Sequence, residues 1–111
     1  ERKDSYVRDL MAFIKRGGNY EMVLVDRLLI AAMIEARSCE RFRVLSENIR
    51  DEELSKFYHG LMTSEARHYS MFIKLAKKYG KDVDVDKRWK EFLAKEAEIM
   101  NNYGKQETVH G

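Results

Sequence analysis

Residues 24–42, LVDRLLIAAMIEARSCERF, hold the longest apolar run of the chain and carry two glutamates and a cysteine just behind it. Leu24, Leu28, Ala31, Glu35, Cys39 and Phe42 recur at spacings of three and four, which places them on one face of an α-helix, with Asp26 on the opposite side. The chain contains no proline, so nothing interrupts a helix from about residue 21 to residue 45. Within that face Glu35 stands where packing alone would place Leu or Ile. Glu40, five residues on and so rotated by about 140°, points away.

Outward from this run the same period continues. Residues 46–50 break the pattern, Asp51 can cap a new helix, and Leu54, Tyr58, Leu61, Glu65, His68, Phe72 and Leu75 form its stripe until Gly80 ends it near residue 79. Upstream, Asp4 or Ser5 can cap a short helix over residues 5–16, with Val7, Leu10, Met11 and Ile14 on one face and Gly17-Gly18 as its stop. Downstream, a helix over residues 86–103 carries Trp89, Phe92, Leu93 and Met100 inward and ends at Gly104. No segment alternates with the period of a strand, so the fold class is all-α.

Composition narrows the function. At 111 residues the chain is one domain or part of one. A single cysteine, Cys39, rules out an intrachain disulfide and fits a reducing compartment, with the cytoplasm as the expected location. The apolar run from Leu28 to Ile34 is far shorter than the roughly 20 residues needed to span a bilayer. The glycines form no phosphate-cradling fingerprint. Charged residues make up 36% of the chain but nearly cancel to +2, so charge alone does not announce a nucleic-acid partner.

The polar residues on the stripes carry the chemistry. Glu65 and His68 are three apart, neighbours on one helical face, and this E-x-x-H spacing lets a carboxylate and an imidazole bind one metal ion. Glu35 and Glu65 are nearly equidistant from the turn around Arg50, so an antiparallel hairpin brings them to one level. A buried salt bridge to Arg37 or Arg67 would be the bland alternative, but both arginines lie off the stripes. Three ligands of one metal site, Glu35, Glu65 and His68, are the expectation.

The run 24–42, together with Glu53-Leu54, Phe57-Tyr58, Leu61, residues 64–69 (SEARHY) and the closing residues 108–111, closely resembles the tRNA 2-methylthio-N6-isopentenyladenosine hydroxylase family. The resemblance implies a ferritin-like four-helix bundle holding a non-haem di-iron centre. Two iron ions would use O2 and electrons from an external reductase to hydroxylate the isopentenyl group of the modified adenosine beside the anticodon. In that scheme Glu35 is a single-Glu ligand, and Glu65 with His68 is the second E-x-x-H.

Members of this family carry two further helices before the part matched here, with another inward Glu and another E-x-x-H, and residues 1–20 contain no equivalent. The chain is therefore expected to be the C-terminal half of the domain. It would supply the second helical hairpin, a crossover helix over residues 5–16 and a C-terminal helix, with the N-terminal half, or a second copy, completing the site. An iron-binding or storage protein of the same fold is the competing reading, and an interaction fragment a third. Cys39 reads as a small core residue and Tyr58 as a core tyrosine, while His59 and His110 have no site role. Seven lysines and arginines against three aspartates over residues 74–90 make Lys74, Lys77, Lys78 and Lys81 candidate contacts to tRNA phosphates, against the alternative of a solvated helix end.

Overall fold

The computed structural model describes residues 2–14 and 18–110, and side chains from residues 5–14 and 18–104. Four helices, α1 (Arg2–Met11), α2 (Tyr20–Asn48), α3 (Glu52–Tyr79) and α4 (Val85–His110), follow one another without a strand among the described residues, the all-α architecture of a ferritin-like bundle. None of them is long and apolar enough to cross a membrane.

The frame is the α2–α3 hairpin. Asn19 caps α2 by accepting a 2.8 Å hydrogen bond from the Met22 amide, and Asp51 caps α3 through the Leu54 amide at 3.0 Å. At the tip the Ser55 hydroxyl donates to the Ser46 carbonyl at 2.6 Å. Further along, Phe42 stacks on Tyr58 with ring centroids 6.1 Å apart, and the Cys39 thiol faces the Met62 carbonyl at 3.5 Å. These pairs share one antiparallel register, which sets Glu35 opposite Glu65.

Two apolar faces make α2 the central helix. Leu28 and Phe42 belong to the half-buried face toward α3, whereas Val25, Asp26, Leu29, Ile30, Ala32 and Met33 are buried. Leu10 of α1, and Val85, Phe92 and Ile99 of α4, complete the core against the latter set. The loop between α3 and α4 is fastened to the start of α2, where Glu21 accepts a 2.6 Å hydrogen bond from the Asp82 amide.

Several boundaries depart from the sequence expectations. The first helix begins at Arg2, so Ser5 lies inside it, and it ends at Met11. Its last turn tightens, with the Phe13 and Ile14 amides donating to the carbonyls of Leu10 and Met11. The rest of the expected span, with Gly17, lies outside the described residues. Helix α2 runs on to Asn48 because Ser46 and Asn48 hydrogen-bond the carbonyls of Arg43 and Val44 within the same helix. Helix α4 continues through Gly104.

The largest correction concerns which face of α4 is inward. Phe92 is fully buried, but Leu93 and Met100 are 36% and 50% exposed. The buried arc is Val85, Arg88, Phe92, Glu96 and Ile99, because α1 and α2 hold partners for both of its charges.

Candidate metal centre

Halfway along the hairpin Glu35, Glu65 and His68 come together. One ligand atom from each can be chosen so that all lie within 4.8 Å of one another. Helix geometry does this locally: the three-residue spacing aligns Glu65 with His68, and the register of α2 brings Glu35 across to them. Glu35 Oε2 lies 3.6 Å from His68 Nδ1. Two donors on one ion bound at 2.0–2.2 Å sit about 3–4 Å apart, so small rotations of these side chains suffice to share one.

The electrostatics favour a cation. Glu35 Oε2 is buried and has no hydrogen-bond partner among the described residues. Leaving a carboxylate oxygen in that state costs free energy that a bound metal ion would recover. The arginines that could have neutralised it are elsewhere: Arg37 is bound to Glu96, and Arg67 is exposed. Glu40 is also outward, paired with Arg43 on the surface of α2. A carboxylate–imidazole donor set suits first-row transition metals, iron among them. The three residues therefore fit a metal, and His68, half exposed, is the member of the cluster nearest solvent.

Around this cluster the hairpin is apolar on the tip side. Phe42, Tyr58 and Phe57 form a run of aromatic contacts, with Tyr58 and Phe57 centroids 5.6 Å apart. On the other side Tyr69, next to His68 in sequence, packs its ring 5.9 Å from Trp89 of α4. His59 is exposed, and the side chain of His110 lies outside the described residues.

Of the lysines considered for RNA, Lys77 is engaged with Asp86 at 3.2 Å and Lys78 lies over the Tyr79 ring at 5.4 Å, while Lys74 and Lys81 are exposed.

Two polar clusters that hold the hairpin to the other helices were not foreseen from sequence. Arg88 is 4% exposed and grips the fully buried Asp26 through both carboxylate oxygens, at 2.7 and 2.8 Å. The same guanidinium donates to the Phe13 carbonyl at 3.0 Å and lies 4.5 and 4.8 Å from the Phe13 and Phe92 rings. Glu96 accepts from Arg37 at 2.7 and 2.8 Å and from the Tyr6 hydroxyl at 2.6 Å. Burial first, and then the Glu96 carboxylate, push the Tyr6 phenol well above its usual value. The Glu96 hydrogen bond likewise raises Arg37, keeping it charged. The available signal was Asp26 itself, a carboxylate two residues before the apolar run of the central helix.

The chain is 46% identical over 87 residues to the tRNA 2-(methylsulfanyl)-N(6)-isopentenyladenosine(37) hydroxylase of Pseudomonas putida, an alignment covering 78% of the chain and 42% of that protein. It is 42% identical over 79 residues to the protein of the same description from Salmonella typhimurium, covering 71% of the chain and 28% of the relative. The chain thus spans less than half the length of these curated relatives. The family profile described as tRNA-(MS[2]IO[6]A)-hydroxylase (MiaE) matches residues 2–111. With that match running through Glu35, Glu65 and His68, the chain belongs to the tRNA-(MS[2]IO[6]A)-hydroxylase family.

Proposed function

We propose that this chain is the C-terminal half of a cytoplasmic di-iron hydroxylase that acts on the isopentenyl group of 2-methylthio-N6-isopentenyladenosine next to the anticodon of tRNA. The observation that carries the reading is the convergence of Glu35, Glu65 and His68 around an orphaned, buried carboxylate oxygen in a chain of this family.

Glu35, Glu65 and His68 would hold their share of two iron ions, and the N-terminal half of the same protein, or a second copy, would supply the rest. The flatness of the chain supports an incomplete bundle. It measures 49 × 39 × 20 Å with a radius of gyration of 16.1 Å, against about 13 Å for a compact chain of this length. Leu54, Phe57 and Met71 of α3 are 44, 58 and 46% exposed, as an uncovered seam would be.

When bound, the irons would supply activation of O2, one oxygen atom going to the substrate and the other to water with two electrons from an external reductase and two protons. The chain's own residues set the surroundings of that chemistry. The Glu35 and Glu65 carboxylates would provide oxygen donors to the cations, and His68 would provide an imidazole nitrogen at the solvent side. The Phe42–Tyr58 stack lies toward the tip from these three residues, an apolar neighbourhood of the kind that suits a prenyl chain.

The test is direct. The complete protein, incubated with tRNA bearing the prenylated nucleoside, O2 and a reductant, should convert that nucleoside to its hydroxylated form and contain about two irons per site. Iron-loaded protein that leaves the nucleoside unchanged would overturn the reading in favour of iron binding alone.

A further inference from the structure

Past its first turn, from Leu54 to Tyr79, α3 has one acidic residue, Glu65, and that one is turned to Glu35. Against it stand Lys56, Arg67, Lys74, Lys77 and Lys78. At about 100° per residue, Lys56, Arg67, Lys74 and Lys78 fall in one narrow stripe, about 80–120° around the helix from His68, whereas Lys77 falls about 60–100° beyond the stripe, opposite His68. That is the lysine Asp86 engages. The four residues of the stripe are exposed, and among the described residues no carboxylate lies within ion-pair distance of any of them.

The stripe runs from Lys56 to Lys78, about 33 Å at 1.5 Å per residue, too long for one phosphate and long enough to follow a nucleic-acid backbone. The metal cluster lies beside it near mid-length, because Glu65 and His68 flank Arg67 in sequence. Gly60 sits in the same stripe. A Cβ there would meet nothing within 4 Å, so no packing in the described chain calls for a glycine. Its bare backbone leaves the stripe low between Lys56 and Arg67, where another backbone can come close.

We propose that the Lys56–Arg67–Lys74–Lys78 stripe of α3 is the surface on which the sugar-phosphate backbone of the substrate RNA lies, along the edge of the Phe57–Met71 face remote from His68. This rests on the functional reading above and deepens it by placing the RNA on α3 rather than on the α3–α4 corner. Charge complementarity selects the occupant: four cations along a helix, with no acid paired to them among the described residues, fit a polyanion and would repel a basic partner.

The experiment uses the complete, iron-loaded protein and a labelled anticodon stem-loop RNA carrying the prenylated adenosine. The stripe variant replaces Lys56, Arg67, Lys74 and Lys78 together by Gln. A charge-matched control replaces Arg8, Arg27, Arg41 and Arg50 by Gln, exposed residues of α1, α2 and the hairpin tip. The stripe variant should lose about tenfold or more in affinity and about three units from the slope of log K against log salt, at 0.7–0.9 per phosphate contact. Its iron content should match the parent, and the control should bind as the parent does. Unchanged affinity and slope in the stripe variant, or an equal loss in the control, would overturn the assignment. A parent protein that binds the RNA and hydroxylates it while the stripe variant binds equally well refutes the stripe alone; a parent that binds no RNA refutes the functional reading with it.

Discussion

Asp26 and Arg88, sixty-two residues apart, form a two-pronged ion pair in the centre of the molecule, with side chains 0 and 5% exposed. It joins α2 to α4, and because the guanidinium also binds the Phe13 carbonyl it anchors the end of α1. Three helices are therefore referred to one charge pair, and the hairpin that carries Glu35, Glu65 and His68 is fixed against its supports from behind.

Removing one partner strands the other charge in the core. Asp26→Ala or Arg88→Ala should lower the unfolding free energy by about 3–5 kcal/mol, while Asp26→Leu with Arg88→Met should cost far less than the sum of the single changes. Denaturant unfolding of the complete protein measures both. Near-additive losses in the double variant would mean the pair is not acting as a unit.

Glu35 should show opposite effects on stability and on metal. Its orphaned oxygen is a liability until a cation arrives, so Glu35→Leu should stabilise the metal-free protein by about 1 kcal/mol and abolish iron binding. Glu65→Ala and His68→Ala should also lose iron, with unchanged helical circular dichroism. Wild-type iron content in all three variants would remove these residues from the ligand set.

Much of this cluster was legible in the sequence because Glu35, Glu65 and His68 sit on stripes whose period fixes their direction. Glu35 interrupts an apolar face, Glu65 and His68 repeat at three, and the equal distances to the turn give the level at which they meet. The back of α2 was harder to read. Asp26 lies opposite the Glu35 face, and one-dimensional periodicity equates opposite with wet, whereas α2 is covered on both sides. The same limit misplaced Leu93 and Met100. A helix whose inward positions are Arg88 and Glu96 looks inverted until Asp26, Arg37 and Tyr6 are seen to receive them.

The Tyr6–Glu96 contact predicts an alkaline instability. The folded state holds the phenol proton more tightly than the unfolded chain, where it leaves near pH 10. Above that pH the unfolded state binds fewer protons than the native state, so stability falls as pH rises; below it the contribution is fully present. Tyr6→Phe should cost about 1 kcal/mol at pH 8 and progressively less above pH 10. Parallel stability curves for the two proteins from pH 8 to 11 would remove the titration from this contact.

Two glycines on α3 and at its end should respond in opposite directions to the same substitution. Gly80 is buried at the α3 cap, where an added Cβ would run into Val25 Cγ2 and meet the Ala76 carbonyl oxygen at 2.8 Å. The first neighbour is a core side chain and the second is backbone, and neither can move without disturbing the junction of α2, α3 and α4. Gly80→Ala should therefore destabilise by about 1–3 kcal/mol, the usual range for overpacking. Gly60, mid-helix and open on its outer side, has only its backbone entropy to lose, so Gly60→Ala should stabilise the fold by about 0.5–1 kcal/mol. Thermal melts of the two variants beside the parent decide the matter. If Gly80→Ala melts at the parent temperature, the close approach of Val25 relaxes freely and the cap is not a packing constraint. If Gly60→Ala melts lower, the outer face of α3 at that point is covered in the complete protein by a chain that needs the glycine, and the RNA would have to approach the stripe on either side of it.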